Sequence, residues 1–76
     1  MTEESNQVTL TKLRNRAGLT RRQVAAELDV TEKTIYVWET SPNTPRLTVA
    51  QVQRLMEILN CSMEELVEAT EKRPQS

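Results

Sequence analysis

Residues 31–40, TEKTIYVWET, gather most of the side chains in this sequence that are equipped to recognise another molecule. Glu32, Lys33, Tyr36, Val37 and Thr40 offer a carboxylate, an ammonium, a phenol, two methyls and a hydroxyl. That set suits non-covalent reading and not bond making. The chain has no histidine, and its one cysteine, Cys61, has no partner base. With one glycine, there is no glycine-rich phosphate loop. No residues stand at metal-ligand spacing. Glu64 and Glu65 are neighbours on a helix, so their carboxylates face different ways and cannot flank one substrate. The expectation is a protein that is not an enzyme and carries no cofactor.

A helix has to hold those five side chains together. With Ile35 at 0° and about 100° per residue, Trp38 falls at about 300° and turns inward with Ile35. Lys33, Tyr36, Val37 and Thr40 then share the opposite face, with Glu32 on its flank. The preceding segment carries Val24, Ala25 and Leu28 as a buried helical stripe, and Asp29, Val30 and Thr31 interrupt it before the next helix begins. A helix, a three-residue turn and a second helix make the arrangement whose second helix enters the major groove of DNA. Its requirements are physical. Asp29 has to accept a positive φ, which aspartate tolerates better than most non-glycine residues, with slight strain. Ala25 has to be small where the helices cross, and Val30 and Ile35 have to be apolar to reach the core of Val24 and Leu28.

Three more helices complete the expected fold, an all-α, compact five-helix domain. Leu10, Leu13 and Ala17 form the stripe of the first, and Gly18 stops it in the left-handed conformation. Thr20 with Gln23, Thr48 with Gln51 and Ser62 with Glu65 are capping boxes, and Thr31 caps the helix of Ile35 and Trp38. The fourth helix should turn Val49, Val52, Leu55, Met56 and Leu59 inward and stop at Asn60. The fifth should turn Met63, Leu66 and Val67 inward. Residues 40–47, TSPNTPRL, read as a loop stiffened by Pro42 and Pro45.

The 76 residues suit one domain, read as residues 8–72 between loose tails at 1–7 and 73–76. A domain this short buries only about 60% of its unfolded surface, so its caps have to fix helix starts that the core cannot fix alone. The net charge of −1 is unevenly spread. Residues 8–46 hold seven bases and four acids, whereas residues 47–76 hold three bases and five acids. That asymmetry can turn one side of the molecule towards phosphate. No run of about 20 apolar residues exists, so no membrane span is expected. The acidic start MTEESNQ and the single cysteine point to a cytoplasmic protein, nucleoid-associated if it binds DNA.

The stretch LTKLRNRAGLTRRQVAAELDVTEKTIYVWE resembles the Cro/lambda-repressor-like (XRE) helix-turn-helix family, and RLTVAQVQRLMEILNCSMEELV resembles that family's fourth and fifth helices. The likeness covers roughly residues 8–70. It implies a lambda-repressor-like DNA-binding domain, a transcriptional regulator of repressor-like type, often dimeric on an operator with two half-sites. The family commonly has glutamine where Arg21 stands, and glycine at Asp29 and in the turn after Glu39. Arg21 keeps a phosphate contact but loses the amide readout.

The expected base-reading residues of the recognition helix, 32–39, are Lys33, Tyr36, Val37 and Glu32. Lys33 can donate to guanine O6 and N7, Tyr36 and Val37 can meet a thymine methyl, and Glu32 can accept from cytosine N4. The bland alternatives are a phosphate contact for Lys33, an exposed ring packed on a neighbour for Tyr36, and plain solvated side chains for Val37 and Glu32. Thr20 and Arg21, at a helix start with free N–H groups, are expected at phosphates, as are Asn43, Arg46 and Thr40. Arg22 is read as pointing away, Arg14 as a partner for Glu39, and Trp38 as core. Met63, Leu66 and Val67, with Cys61, form the expected dimer surface, against core packing within one chain. Cys61 precedes a helix start that can lower a thiol pKa, and a buried inert thiol is the alternative. The rival function is a protein-protein adaptor or antitoxin-like module on the same fold.

Overall fold

The computed structural model describes residues 8–71, which form five helices with no strand among them. They are α1 (Leu10–Arg16), α2 (Arg21–Leu28), α3 (Glu32–Thr40), α4 (Val49–Leu59) and α5 (Met63–Thr70). The expected tails, apart from their boundaries, lie outside the described residues.

Each helix begins on a hydroxyl. Thr9, Thr20, Thr31, Thr48 and Ser62 are extended, and each accepts a hydrogen bond from the backbone N–H three residues on. At Thr20, Thr48 and Ser62 the third residue, Gln23, Gln51 or Glu65, returns a bond to the cap's own N–H. Each such cap contributes about 1 kcal/mol. Thr9 is a cap that the sequence pattern had not singled out.

The helix ends are equally local. Gly18, Asp29 and Asn60 adopt φ of 75°, 59° and 52°. In each case the next residue's N–H bonds back five residues: Leu19 to Arg14, Val30 to Ala25, Cys61 to Met56. This is the Schellman closure, which needs a left-handed residue followed by an apolar one that folds back on the helix. Leu19, Val30 and Cys61 are those apolar residues, and all three pack in or against the core. The two short turns that join α1 to α2 and α2 to α3 are therefore rigid, and they fix how α3 is presented. After α3 the chain leaves extended at Ser41, where Pro42 forbids continuation.

The core is one cluster drawn from all five helices. Leu55 and Leu59 of α4 lie at its centre, 1% and 2% exposed. Around them pack Leu10 and Leu13 of α1, Val24, Ala25 and Leu28 of α2, Ile35 of α3, and Leu66 and Ala69 of α5. Ala25 stays buried where α2 packs against α3, which agrees with the need for a small residue there. Trp38 and Val30 are half-buried against the same cluster. Three expectations fail. Val49 is 86% exposed, because the first turn of α4 projects beyond the core. Met63 and Val67 are about half exposed, and Ala69 fills the inward position beside Leu66 instead. In an eight-residue helix several arcs of the wheel are apolar enough to be taken for the buried one.

Candidate nucleic-acid interface

α3 is anchored from behind by one apolar side chain and one charged one. Ile35 is 3% exposed in the core. Glu39, one turn further on, is the charged anchor: its side chain is 2% exposed. Its Oε2 accepts from Arg14 Nε at 2.6 Å. Its Oε1 accepts from Arg14 Nη2 at 3.3 Å, Arg21 Nε at 2.9 Å and Thr11 Oγ1 at 3.1 Å. Arg14 Nη1 also donates to the Leu19 carbonyl at 3.0 Å, which ties the α1–α2 turn into the same knot. Burial pushes the Glu39 carboxyl up, but the bonds from Arg14, Arg21 and Thr11 and the Arg14 charge outweigh it, so the group stays below its ordinary value. The expected Arg14–Glu39 pair is present. Arg21 and Thr11 are further partners that the sequence had not suggested.

The outer face of α3 is as the wheel arranges it. Glu32, Lys33, Tyr36, Val37 and Thr40 are all exposed, Tyr36 by 50% and Val37 by 44%. The Thr40 hydroxyl donates to the Tyr36 carbonyl at 2.8 Å, so it retains acceptor capacity alone. Tyr36 lies beneath Arg21, whose guanidinium carbon is 5.1 Å from the ring centroid.

Seven of the basic residues divide into two groups. Arg14, Arg16, Arg21 and Arg54 are paired with carboxylates. Arg16 meets Glu65 at 3.0 Å and joins α1 to α5, while Arg54 bridges Glu27 of α2 and Glu57 of its own helix. Arg22, Lys33 and Arg46 are exposed and make no ion pair among the described residues. Arg22, read from sequence as pointing away, thus joins Lys33 and Arg46 as a cation with no internal duty. At the start of α2 the Thr20 hydroxyl is occupied by the Gln23 N–H. In the 41–48 loop, Asn43 N–H donates to Ser41 Oγ at 3.1 Å, leaving the Asn43 side chain exposed beside the segment of Arg46.

Of the residues expected at a dimer surface, Leu66 is withdrawn: it is 2% exposed and belongs to its own chain's core. Met63 and Val67 remain on the surface of α5. Cys61 is buried, and burial, followed by the Glu65 charge, raises its thiol pKa, so the helix-start argument for a reactive thiolate fails.

A void of about 10 Å³ lies between Arg14, Glu39 and apolar residues that include Ile35, Trp38 and Leu55, whereas small-molecule pockets run to ~300–1,000 Å³. Among the described residues no group of His, Cys, Asp or Glu is placed to hold a metal ion. Among them, too, no helix is long and apolar enough to cross a membrane.

A helix-turn-helix family model matches residues 10–66, which takes in α1 to α4 and the first half of α5. No curated protein matches. No solved structure matches either.

Proposed function

This chain belongs to the helix-turn-helix family of XRE type, a family of DNA-binding regulators, and from that premise we propose that it binds double-stranded DNA sequence-specifically, with α3 in the major groove. The observation that carries the reading is the division of α3. One face is locked by Ile35 and Glu39, and the other presents Lys33, Tyr36, Val37 and Glu32 to solvent. A groove reader needs both, a fixed axis and an unencumbered polar-apolar face.

In this reading Lys33, Tyr36, Val37 and Glu32 meet base edges. Thr20, Arg21, Asn43 and Arg46 stand at phosphates, with Arg22 added, whereas Thr40, whose proton goes to the Tyr36 carbonyl, has no donor left for a phosphate and drops out of the set. The unpaired cations Arg22, Lys33 and Arg46 are free to exchange solvent for phosphate without breaking an internal pair. Few such contacts per copy make binding by one copy weak at physiological salt. A second copy on a palindromic site, half-sites about 34 Å apart, doubles them. Met63 and Val67 on α5 are the surface we assign to that pairing. The regulator is of repressor-like type in this reading.

The test is selection of bound sequences from a random duplex pool, followed by salt titration on the winner. A symmetric motif is expected, changed by Lys33→Ala. Arg46→Ala should leave the motif intact and flatten the slope of log K against log salt by about 0.9. Failure to retain any duplex at low salt overturns the reading. A second reading, a protein-binding adaptor or antitoxin-like module, is favoured by one feature: α5 exposes Met63 and Val67 beside Glu64 and Glu68, an apolar pair with an acidic border. Indifference to duplex and salt supports that alternative.

A further inference from the structure

We propose that Arg21 is a positioning residue for base reading, which holds the Tyr36 ring in one orientation on the outer face of α3. This rests on the DNA reading above. Arg21 is the first residue of α2, and its guanidinium is fixed at one edge, where Nε donates to Glu39 Oε1 at 2.9 Å. Glu39 is itself immobilised by Arg14 and Thr11. The flat guanidinium therefore starts from a buried anchor and reaches over a half-exposed ring, 5.1 Å from its centroid. The Tyr36 hydroxyl makes no hydrogen bond among the described residues, so Arg21 is the polar group that restrains this side chain.

A tyrosine on an open helix face exchanges among staggered χ1 wells. Stacking beneath an anchored cation selects one well before DNA arrives, and less freedom is then lost on binding. The two terminal nitrogens of Arg21 take no hydrogen bond among the described residues and stay open to a phosphate. One side chain thus couples a backbone contact to a base-edge contact. Lysine cannot replace it, because an ammonium has no plane to lay on a ring while also donating sideways to Glu39.

The experiment compares the selected motif for the wild-type chain, Arg21→Lys, Arg21→Met, Arg22→Gln and Tyr36→Ala. Glu39 keeps three of its four bonds in the Arg21 variants, and circular dichroism checks that they fold. Loss of the stacking should reduce discrimination at the base pair that Tyr36→Ala affects by about two- to fivefold. Both Arg21 variants should show that loss, and Arg22→Gln should weaken all sequences alike. Because Tyr36 is the chain's one tyrosine, NMR gives a second readout in the free protein. The Arg21 side-chain protons should be ring-shifted upfield in the wild type and return to ordinary positions in Tyr36→Ala. Unshifted Arg21 protons, or Arg21 variants that lose affinity evenly across sequences with the motif intact, overturn the inference and leave the DNA reading standing. A wild-type pool with no motif overturns both.

Discussion

Where α3 meets α1 and α2, a carboxylate 2% exposed takes four hydrogen bonds from three side chains. Where α5 meets the rest of the domain, the seal is Leu59, Leu66 and Ala69, and the ion pair Arg16–Glu65 stays at the surface. Apolar contacts are non-directional, and cores tolerate rearrangement of similar volumes. Bonds from two guanidinium forks to one carboxylate are directional. The difference teaches where this small domain needs an element held at a set angle and where it needs only to exclude water. The directional anchor sits under α3, the helix that turns Glu32, Lys33, Tyr36 and Val37 outward.

The contrast is broken most directly by Arg14→Ala. Glu39 would lose two bonds while remaining buried, and such losses cost about 3–5 kcal/mol. Urea unfolding should show a loss close to the whole stability expected of a domain this size. Leu55→Ala tests the other mode. It removes a side chain 1% exposed at the centre of the apolar cluster and should cost about 2–5 kcal/mol. The surviving folded fraction should keep its DNA motif, because the Glu39 anchor is untouched.

Acid separates the two kinds of ion pair. Glu39 and Glu65 both have folded-state values below the ordinary 4.5, and Glu65 falls to about 2 through bonds from Arg16 and the Ser62 N–H. Depressed carboxylates contribute stability above their unfolded value and lose it as pH falls through the folded one. The melting temperature should therefore drop between about pH 4.5 and 2. In 1 M salt the exposed Glu65 should titrate nearer its ordinary value while Glu39 barely moves, and carboxyl NMR shifts will read the two apart. The smallest effect belongs to the turn. Asp29→Gly removes the left-handed strain at φ 59° and should stabilise by up to about 1 kcal/mol, seen as a raised melting temperature.

Apart from the Arg14–Glu39 pair, 25 residues apart in the chain, what the sequence made legible depends on near neighbours. Thr20, Thr31, Thr48 and Ser62 as caps, and Gly18, Asp29 and Asn60 as left-handed stops, need only residues three to five positions away. The exposed face of α3 followed from a nine-residue wheel with two clear inward residues. Val49, Met63 and Val67 were misplaced because their burial depends on how far a neighbouring helix extends, which no local pattern records. The Arg21 link to Glu39 and Tyr36 was hidden for the same reason: an arginine at a helix start reads as a phosphate ligand until the fold supplies a carboxylate and a ring beside it.

Cys61 closes α4 with its backbone, is buried at 9% exposure, and is the chain's single thiol. An alkylating reagent should reach its sulfur chiefly when the junction of α4 and α5 comes apart. The rate of modification under folding conditions is thus a built-in clock for that opening. Any duplex or second copy that binds the closed form will slow the clock in proportion to its occupancy, with no label added to the protein.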